Sequence, residues 1–400
     1  MVNDQRESGR RQVFSAIRKA GRVARVDLAR ETGISPATVT AITAELLREG
    51  LIEETGTPDR SDLRRGRPRV DLKVRGAAHV VAGMKLSHLA IATALIDFEG
   101  TMIAEHTCAL DKSRHSAAEL TALVERALDE TLSKAGLSRD QLSGVGLGMS
   151  GVVDAMGGLV HWSPSVAERN VPLRDMLGAR IDLPIFIDND ANLVAMAEQY
   201  FGHGRGVSDF IVVTIESGVG MGIVINNEVY RGARGCGAEF GHTKVQLDGA
   251  LCRCGQRGCL EAYVADYALL REAATTTDFA DITTSSAKLQ ALVEAARGGD
   301  TTAQMIFDRA GRMFAMGLAN VVNIFDPQLI ILSGERMQFD YLYADQVLDS
   351  IRRSIIQIDL PPPQIVIHKW GDLMWAKGAA AFAIDGVADI ALQNFSGNAA

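Results

Sequence analysis

The chain lacks any apolar run approaching the eighteen or so residues a membrane-spanning helix needs, and its opening, MVNDQRESGRR, puts no apolar stretch behind its charges. Neither a membrane insertion nor a secretory leader is expected, and the cytoplasm is the expected compartment. Cysteine is scarce as well: there are five, an odd number, and three of them crowd into CRCGQRGC at 252–259. That spacing suits no disulfide framework and points to metal ligation. Cys108 and Cys236 read as buried or free thiols. An excess of positive charge is also missing, since 41 Lys and Arg face 49 Asp and Glu for a net charge of −8. Taken whole, such a chain is a poor ligand for nucleic acid. An average over unlike domains can hide a basic patch, however. Residues 1–75 carry 16 basic and 11 acidic side chains, a net of +5, which leaves −13 for the remainder. The asymmetry predicts a boundary near Arg75, with a small basic module at 1–75 and a larger acidic body at 76–400.

What is present in the first 75 residues fits a DNA-binding module. From Arg10 the sequence VFSAIRKAG, then VDLARETG, then SPATVTAITAELLREGLI predicts three helical segments, separated at Gly21 and Gly33. Ser35 is a suitable N-cap and Pro36 suits the first helical position. Val39, Ile42 and Leu46 make a core face. Ala37, Thr38, Thr40, Ala41 and Thr43 are predicted to lie opposite it, short residues that let a helix sink into a major groove. Strands around Leu51–Ile52 and Val70–Leu72 predict a wing. Its tip carries Arg64, Arg65, Arg67 and Arg69 around an Arg-Gly-Arg-Pro core, suited to a narrow minor groove. Ser35, Ala37, Thr38, Thr40, Thr43, Arg65 and Arg67 are therefore the candidate DNA contacts.

With 47% hydrophobic residues the body can bury a large core. Three apolar strands are predicted over 80–110, with a turn at Glu99–Gly100, and a related strand pattern recurs from Phe210 through FIVVTI and GMGIVINNEVYRG. The recurrence predicts an internally duplicated α/β body of two lobes, about 76–190 with a C-terminal helix and about 191–375, with a small-ligand cleft.

His242, Cys252, Cys254 and Cys259 have the composition of a closed tetrahedral zinc site, one structural ion per chain with no position left for water. Glu239 and Glu261 bracket that loop and can accept hydrogen bonds from sugar hydroxyls. In IFIDNDANL (185–193) an apolar strand ends in Asp188, Asn189 and Asp190, where polar groups face the cleft of an α/β fold. Asp190 can bind a hydroxyl or act as a general base toward one; equally, the segment is a helix N-cap with a solvated turn.

Taken together, the zinc loop, the segment 189–192 (NDAN), residues 237–242 (GAEFGH) and residues 320–334 (NVVNIFDPQLIILSG) resemble, in order and spacing, the ROK family of repressors, open reading frames and kinases, and within it the transcription regulators. The resemblance implies a hexokinase/actin-like, ribonuclease H-like body behind a winged helix-turn-helix, assembled as a homodimer or homotetramer. It implies that Asn189, Asp190, Glu239, His242 and Glu261 line a sugar pocket, His242 doubling as a zinc ligand. Ser165 stands where family kinases commonly carry Asn. Three nucleotide elements depart from the kinase pattern: Met84 to His88 replace the Gly-rich phosphate turn, Glu216 replaces a glycine, and Ser333 to Glu335 replace a Gly-rich stretch near the adenosine. The sequence-based expectation is thus a non-enzymatic, sugar-responsive regulator, a repressor that binds operator DNA and a sugar or sugar phosphate. The alternatives are an active kinase using Asp190 as base, and a regulator sensing a protein partner.

Overall fold

The computed structural model describes residues 2–55, 70–275, 279, 282–334, 337, 339, 341, 342, 344–356, 359–369 and 373–397. The chain divides into two compact units, Met1–Asn189 with Trp375–Ala400, and Asp190–Met374. Among the described residues no helix is long and apolar enough to cross a membrane.

The first unit begins with α1 (Val2–Ala20), β1 (Val23–Ala24), α2 (Arg25–Thr32), α3 (Pro36–Arg48), β2 (Ile52–Thr55) and β3 (Asp71–Val74). The three helices fall where the apolar periodicity places them, but α1 starts well before Arg10. Its polar first turns offer no apolar stripe to a sequence reading, and they are engaged by tertiary contacts of Arg6 and Arg10 with Glu45 on α3. Gly33, in the left-handed region at φ 68°, ends α2 and turns the chain into α3. Strand β3 pairs antiparallel with β2 and also with the short β1, giving a three-stranded wing base. The wing tip, with Arg65 and Arg67, lies outside the described residues.

The rest of the first unit holds β4 (Val80–Leu86), β5 (Ala90–Asp97), β6 (Met102–Ala109), α4 (Ala117–Ala135), β7 (Gly144–Met149), β8 (Val152–Asp154), β9 (Leu159–Trp162), α5 (Leu173–Ile181) and β10 (Ile185–Asn189). The second unit holds α6 (Asp190–Phe201), β11 (Phe210–Ile215), β12 (Val219–Ile225), β13 (Glu228–Val229), α7 (Glu261–Val264), α8 (Asp266–Ala273), α9 (Ser285–Arg297), α10 (Thr301–Phe325), β14 (Leu329–Ser333), α11 (Asp345–Ser354) and β15 (Gln364–His368). The last helix, α12 (Leu373–Gly397), returns to the first unit.

Each unit contains one five-stranded sheet, ordered β10-β7-β4-β5-β6 and β13-β12-β11-β14-β15. Reading each set in chain order, both are 3-2-1-4-5: a three-stranded antiparallel meander whose first strand is extended by two parallel strands. The duplicated plan expected from the sequence is therefore present in the pairing itself. In the first unit, Leu120, Val124 and Leu128 of α4 pack under the sheet with Leu95, Leu147 and Ile187. On the other face α12 lies against the strands at backbone contact. A Cβ at Gly83 would come within 2.0 Å of the Ala376 carbonyl, and one at Gly146 within 1.9 Å of that of Ala379. Phe314, Leu318 and Val322 of α10 play the α4 role in the second unit.

Candidate functional site

The N-terminal module presents α3 outward. Ser35 Oγ accepts from the Thr38 amide at 3.2 Å and Pro36 occupies the first turn, so the helix starts where the sequence predicted. Ala37, Thr38, Thr40 and Ala41 are exposed in a row of short side chains. Thr43 corrects the expectation: it is fully buried, one turn from Val39 on the inward stripe Val39, Ile42, Thr43, Leu46. Its hydroxyl donates to the Thr40 carbonyl at 3.2 Å and receives Arg25 Nε at 3.2 Å, so it holds the module together and offers nothing to a base edge. Arg25 also reaches Glu54 on β2 at 2.8 Å, tying α2 to the wing.

Glu45 anchors the inner side of α3. Its carboxylate accepts from Arg10 Nε at 2.8 Å and from Arg6. Burial by itself would raise the Glu45 pKa, but the two guanidinium groups outweigh it and hold the carboxyl below its ordinary value.

The module is fastened to the body of its own unit. Arg18 Nη1 donates to Asp385 on α12 at 2.8 Å, and Arg11 pairs with Asp389 one turn further along at 3.1 Å. The Arg18 guanidinium lies 4.7 Å from the Phe14 ring centroid and 5.1 Å from that of Phe98, which follows β5. Lys73 of the wing donates to Glu99 at 2.8 Å. None of the Asp385, Asp389, Phe98 and Glu99 partners was legible in the sequence, because each pairs residues far apart in the chain.

In the second unit four polar side chains expected to act together are neighbours. Asp190 opens α6, its Oδ1 accepting from the Ala191 amide at 2.9 Å. Glu239 stands 4.0 Å from His242 Nε2. The crowding of protein around Glu239 raises its pKa, the Asp190 and Glu261 carboxylates push it the same way, and His242 opposes them. Solvent still meets 46% of the Glu239 side chain and screens the effect. Glu261, at the start of α7, accepts from the Val219 amide at 3.3 Å, an approach that leaves a Cβ at Gly218 only 3.0 Å from the carboxylate. Asn189 and Ser165 belong to the first unit. The Asn189 amide donates to the Gly151 carbonyl at 2.7 Å, and Ser165 is buried with its amide on Ser163 Oγ at 3.2 Å.

Next to Glu239 and Glu261, the His242, Cys252, Cys254 and Cys259 ligand atoms all lie within 4.8 Å of one another, a set able to hold a metal ion. The loop is shaped by Gly255 and Gly258 at φ 86° and 76°, and a Cβ on Gly258 would fall 1.8 Å from the Gln246 carbonyl. Two surrounding side chains escaped the sequence reading. Lys244 Nζ donates to Cys259 Sγ at 2.9 Å, and the Tyr267 hydroxyl sits 3.6 Å from Cys252 Sγ and 3.4 Å from Glu261 Oε1. Tyr267 thereby bridges a thiol of the cluster and a carboxylate of the polar group; no pattern in the intervening residues marks it.

Where the sequence departs from the expected Gly-rich turn, β4 runs through Met84, Lys85 and Leu86, all buried, and turns through Ser87–Leu89 into β5, the Ser87 amide closing on the Ala90 carbonyl at 2.9 Å. Lys85 Nζ lies 3.5 Å over the Trp375 ring. Glu216 follows β11, its amide bonded to the Gly218 carbonyl at 2.9 Å, and Glu335 lies outside the described residues.

Two family models match the chain: "ROK family" over residues 81–386 and "Winged helix-turn-helix DNA-binding" over residues 10–53. The xylose repressor of Caldicellulosiruptor bescii is 28% identical over 373 residues, spanning 90% of this chain and 92% of its own. Among solved structures, a ROK family transcriptional regulator described as a homologue of the E. coli Mlc protein aligns with a TM-score of 0.80 at 25% identity, over 98% of both chains. A ROK family glucokinase from Streptomyces griseus, solved with glucose and AMPPNP, aligns with a TM-score of 0.64 at 31% identity, over 76% of this chain and 99% of its own.

Proposed function

The chain belongs to the ROK family, and from that premise we propose that it is a sugar-responsive DNA-binding transcriptional repressor. The observation that carries this reading is the capped helix α3, with Ala37, Thr38, Thr40 and Ala41 exposed in one strip, on the same chain as the ROK domain. A similar repressor that spans nearly the whole chain supports it. In a dimer, two such helices enter successive major grooves of a palindromic operator, with Arg65 and Arg67 directed at flanking minor grooves.

Carbohydrate is bound by Asp190, Glu239, His242 and Glu261. Carboxylates and an imidazole suit the paired donors and acceptors of sugar hydroxyls. The His242, Cys252, Cys254 and Cys259 set fits zinc: with Zn–S near 2.3 Å, tetrahedral geometry places sulfurs about 3.8 Å apart. Cys254 and Cys259 Sγ stand 3.8 Å apart, and Cys252 Sγ is 3.7 Å from His242 Nδ1. Bound there, zinc cross-links the loop and has no catalytic position. The chain's own residues do the rest: Lys244 offsets thiolate charge at Cys259, and Tyr267 keeps Glu261 in register with Cys252.

Turnover is not part of this reading. Met84 to His88 stand where family kinases carry a Gly-rich phosphate turn, which argues against a phosphoryl donor for Asp190 to act with. The rival reading, a working kinase, rests on that same retained Asp190. The deciding experiment is fluorescence anisotropy with operator DNA over a panel of hexoses, pentoses, amino sugars and their phosphates. One sugar is expected to shift operator affinity, and operator to shift affinity for that sugar by the same factor. Operator binding indifferent to every sugar would remove the sensor half of the proposal. ADP release in a coupled assay, abolished by Asp190→Asn, would establish the kinase instead.

A further inference from the structure

A second cluster of metal-ligating side chains lies in the first unit, whereas the cysteine loop belongs to the second. His106 and Cys108 alternate along β6, so they share one face of that edge strand, and Glu130 reaches them from α4. Cys108 Sγ is 3.0 Å from Glu130 Oε2, His106 Nε2 is 3.4 Å from the same oxygen, and the three ligand atoms fall within 4.8 Å of one another. Cys108 is buried, His106 half-buried and Glu130 exposed, so the cluster has a protein floor and an open outer side.

We propose that His106, Cys108 and Glu130 form a second, exchangeable site for a zinc-class divalent cation. The donor set is one soft sulfur, one imidazole and one carboxylate, which matches that class of ion and none of the hard, all-oxygen cations. Three protein ligands leave one tetrahedral position to water, in contrast with the four-ligand loop. On binding, the Cys108 thiol gives its proton to solvent, and thiolate plus carboxylate then balance the charge of the ion.

Lys134, one turn beyond Glu130 on α4, marks the spot. Its Nζ lies 2.8 Å from His106 Nδ1 and 3.1 Å from Nε2, so a cation already stands beside the imidazole of the set. It stands on a flexible, exposed stem that can swing into solvent. A metal ion competes with that ammonium, and Arg126, 3.8 Å from the other Glu130 oxygen, adds a weaker opposition. The site is thus a selective one, taken by a cation that forms bonds to sulfur and nitrogen rather than by a bare charge.

The test is cobalt(II) loading of the full-length chain after chelator treatment, followed by metal counting and by the thiolate-to-cobalt charge-transfer band. Cys108→Ser is expected to lose one equivalent of cobalt and part of that band, with the loop's equivalent intact. Glu130→Gln, at an exposed position that leaves the core untouched, is expected to lose the same equivalent, and Lys134→Met to bind it more tightly than the parent. If Cys108→Ser and Glu130→Gln both hold as many equivalents as the parent, the proposal is overturned. It is equally overturned if Lys134→Met binds no more tightly.

Discussion

Arg18 on α1 donates to Asp385 on α12 at 2.8 Å, and this contact fastens the DNA-binding module to the last helix of the chain. The arginine also stacks on Phe14 and Phe98 and is mostly buried, whereas 40% of the Asp385 side chain is exposed. Its two roles separate by mutation. Arg18→Ala loses packing as well as charge and is expected to cost about 1 to 3 kcal/mol in urea unfolding. Asp385→Asn removes a solvent-screened charge and keeps the side chain's shape, and is expected to cost about 0 to 1 kcal/mol. Equal losses would show that the ion pair, and not the stacking, holds the module.

The inward position of Thr43 gives a second, sharper pair of outcomes. Thr43→Ala should lower stability by about 1 to 2 kcal/mol through the lost Arg25 and Thr40 hydrogen bonds while leaving base preference unchanged. Thr38→Ala and Thr40→Ala, both exposed, should weaken operator binding with little change in unfolding midpoint. Ser35→Ala, which removes the N-cap bond to Thr38, should do both, at about 1 kcal/mol of stability. Anisotropy on operator variants and denaturant melts read the two axes separately.

Thr43 also shows why the sequence was legible in one respect and not in another. Periodicity alone puts it inside, since positions 39, 42, 43 and 46 repeat at the helical spacing; a reading by residue type, which groups threonines with the polar face, puts it outside. Patterns that are local in sequence survived: the N-cap at Ser35, the β4–β5–β6 meander, and the recurrence that gives both sheets one strand order. The ligand cluster was legible because its thiols sit within one loop. The Arg18–Asp385, Arg10–Glu45 and Tyr267–Glu261 contacts were not, because nothing in the residues beside either partner records the other.

Glu45 contributes to acid stability. Its folded pKa is depressed by Arg10 and Arg6 against the opposing effect of burial, so the carboxylate contributes stability above its unfolded pKa and loses it as pH falls through the folded value. The parent is therefore expected to lose stability steadily across and below the ordinary carboxylate range. Glu45→Gln should be less stable than the parent at neutral pH, with the gap closing on acidification. Urea midpoints over a pH series measure it, and a gap that widens toward low pH would contradict the sign.

The cysteine loop allows metal binding and sugar binding to be separated from folding. Gly258 adopts φ 76° with the Gln246 carbonyl where a Cβ would go, so Gly258→Ala has no room and should open the loop without touching a ligand. Cys254→Ser removes one exposed thiol of the proposed ligand set outright. On the proposed zinc and sugar sites, both are expected to lower metal content and, through Tyr267 and the Cys252 neighbourhood, to loosen Glu261, lowering sugar affinity measured by calorimetry. Operator affinity without sugar should hardly change, because α3 and its caps lie in the other unit. A parallel fall in both affinities would mean that the variants unfold the chain generally, and the loop would then count as a fold staple with no particular bearing on the ligand.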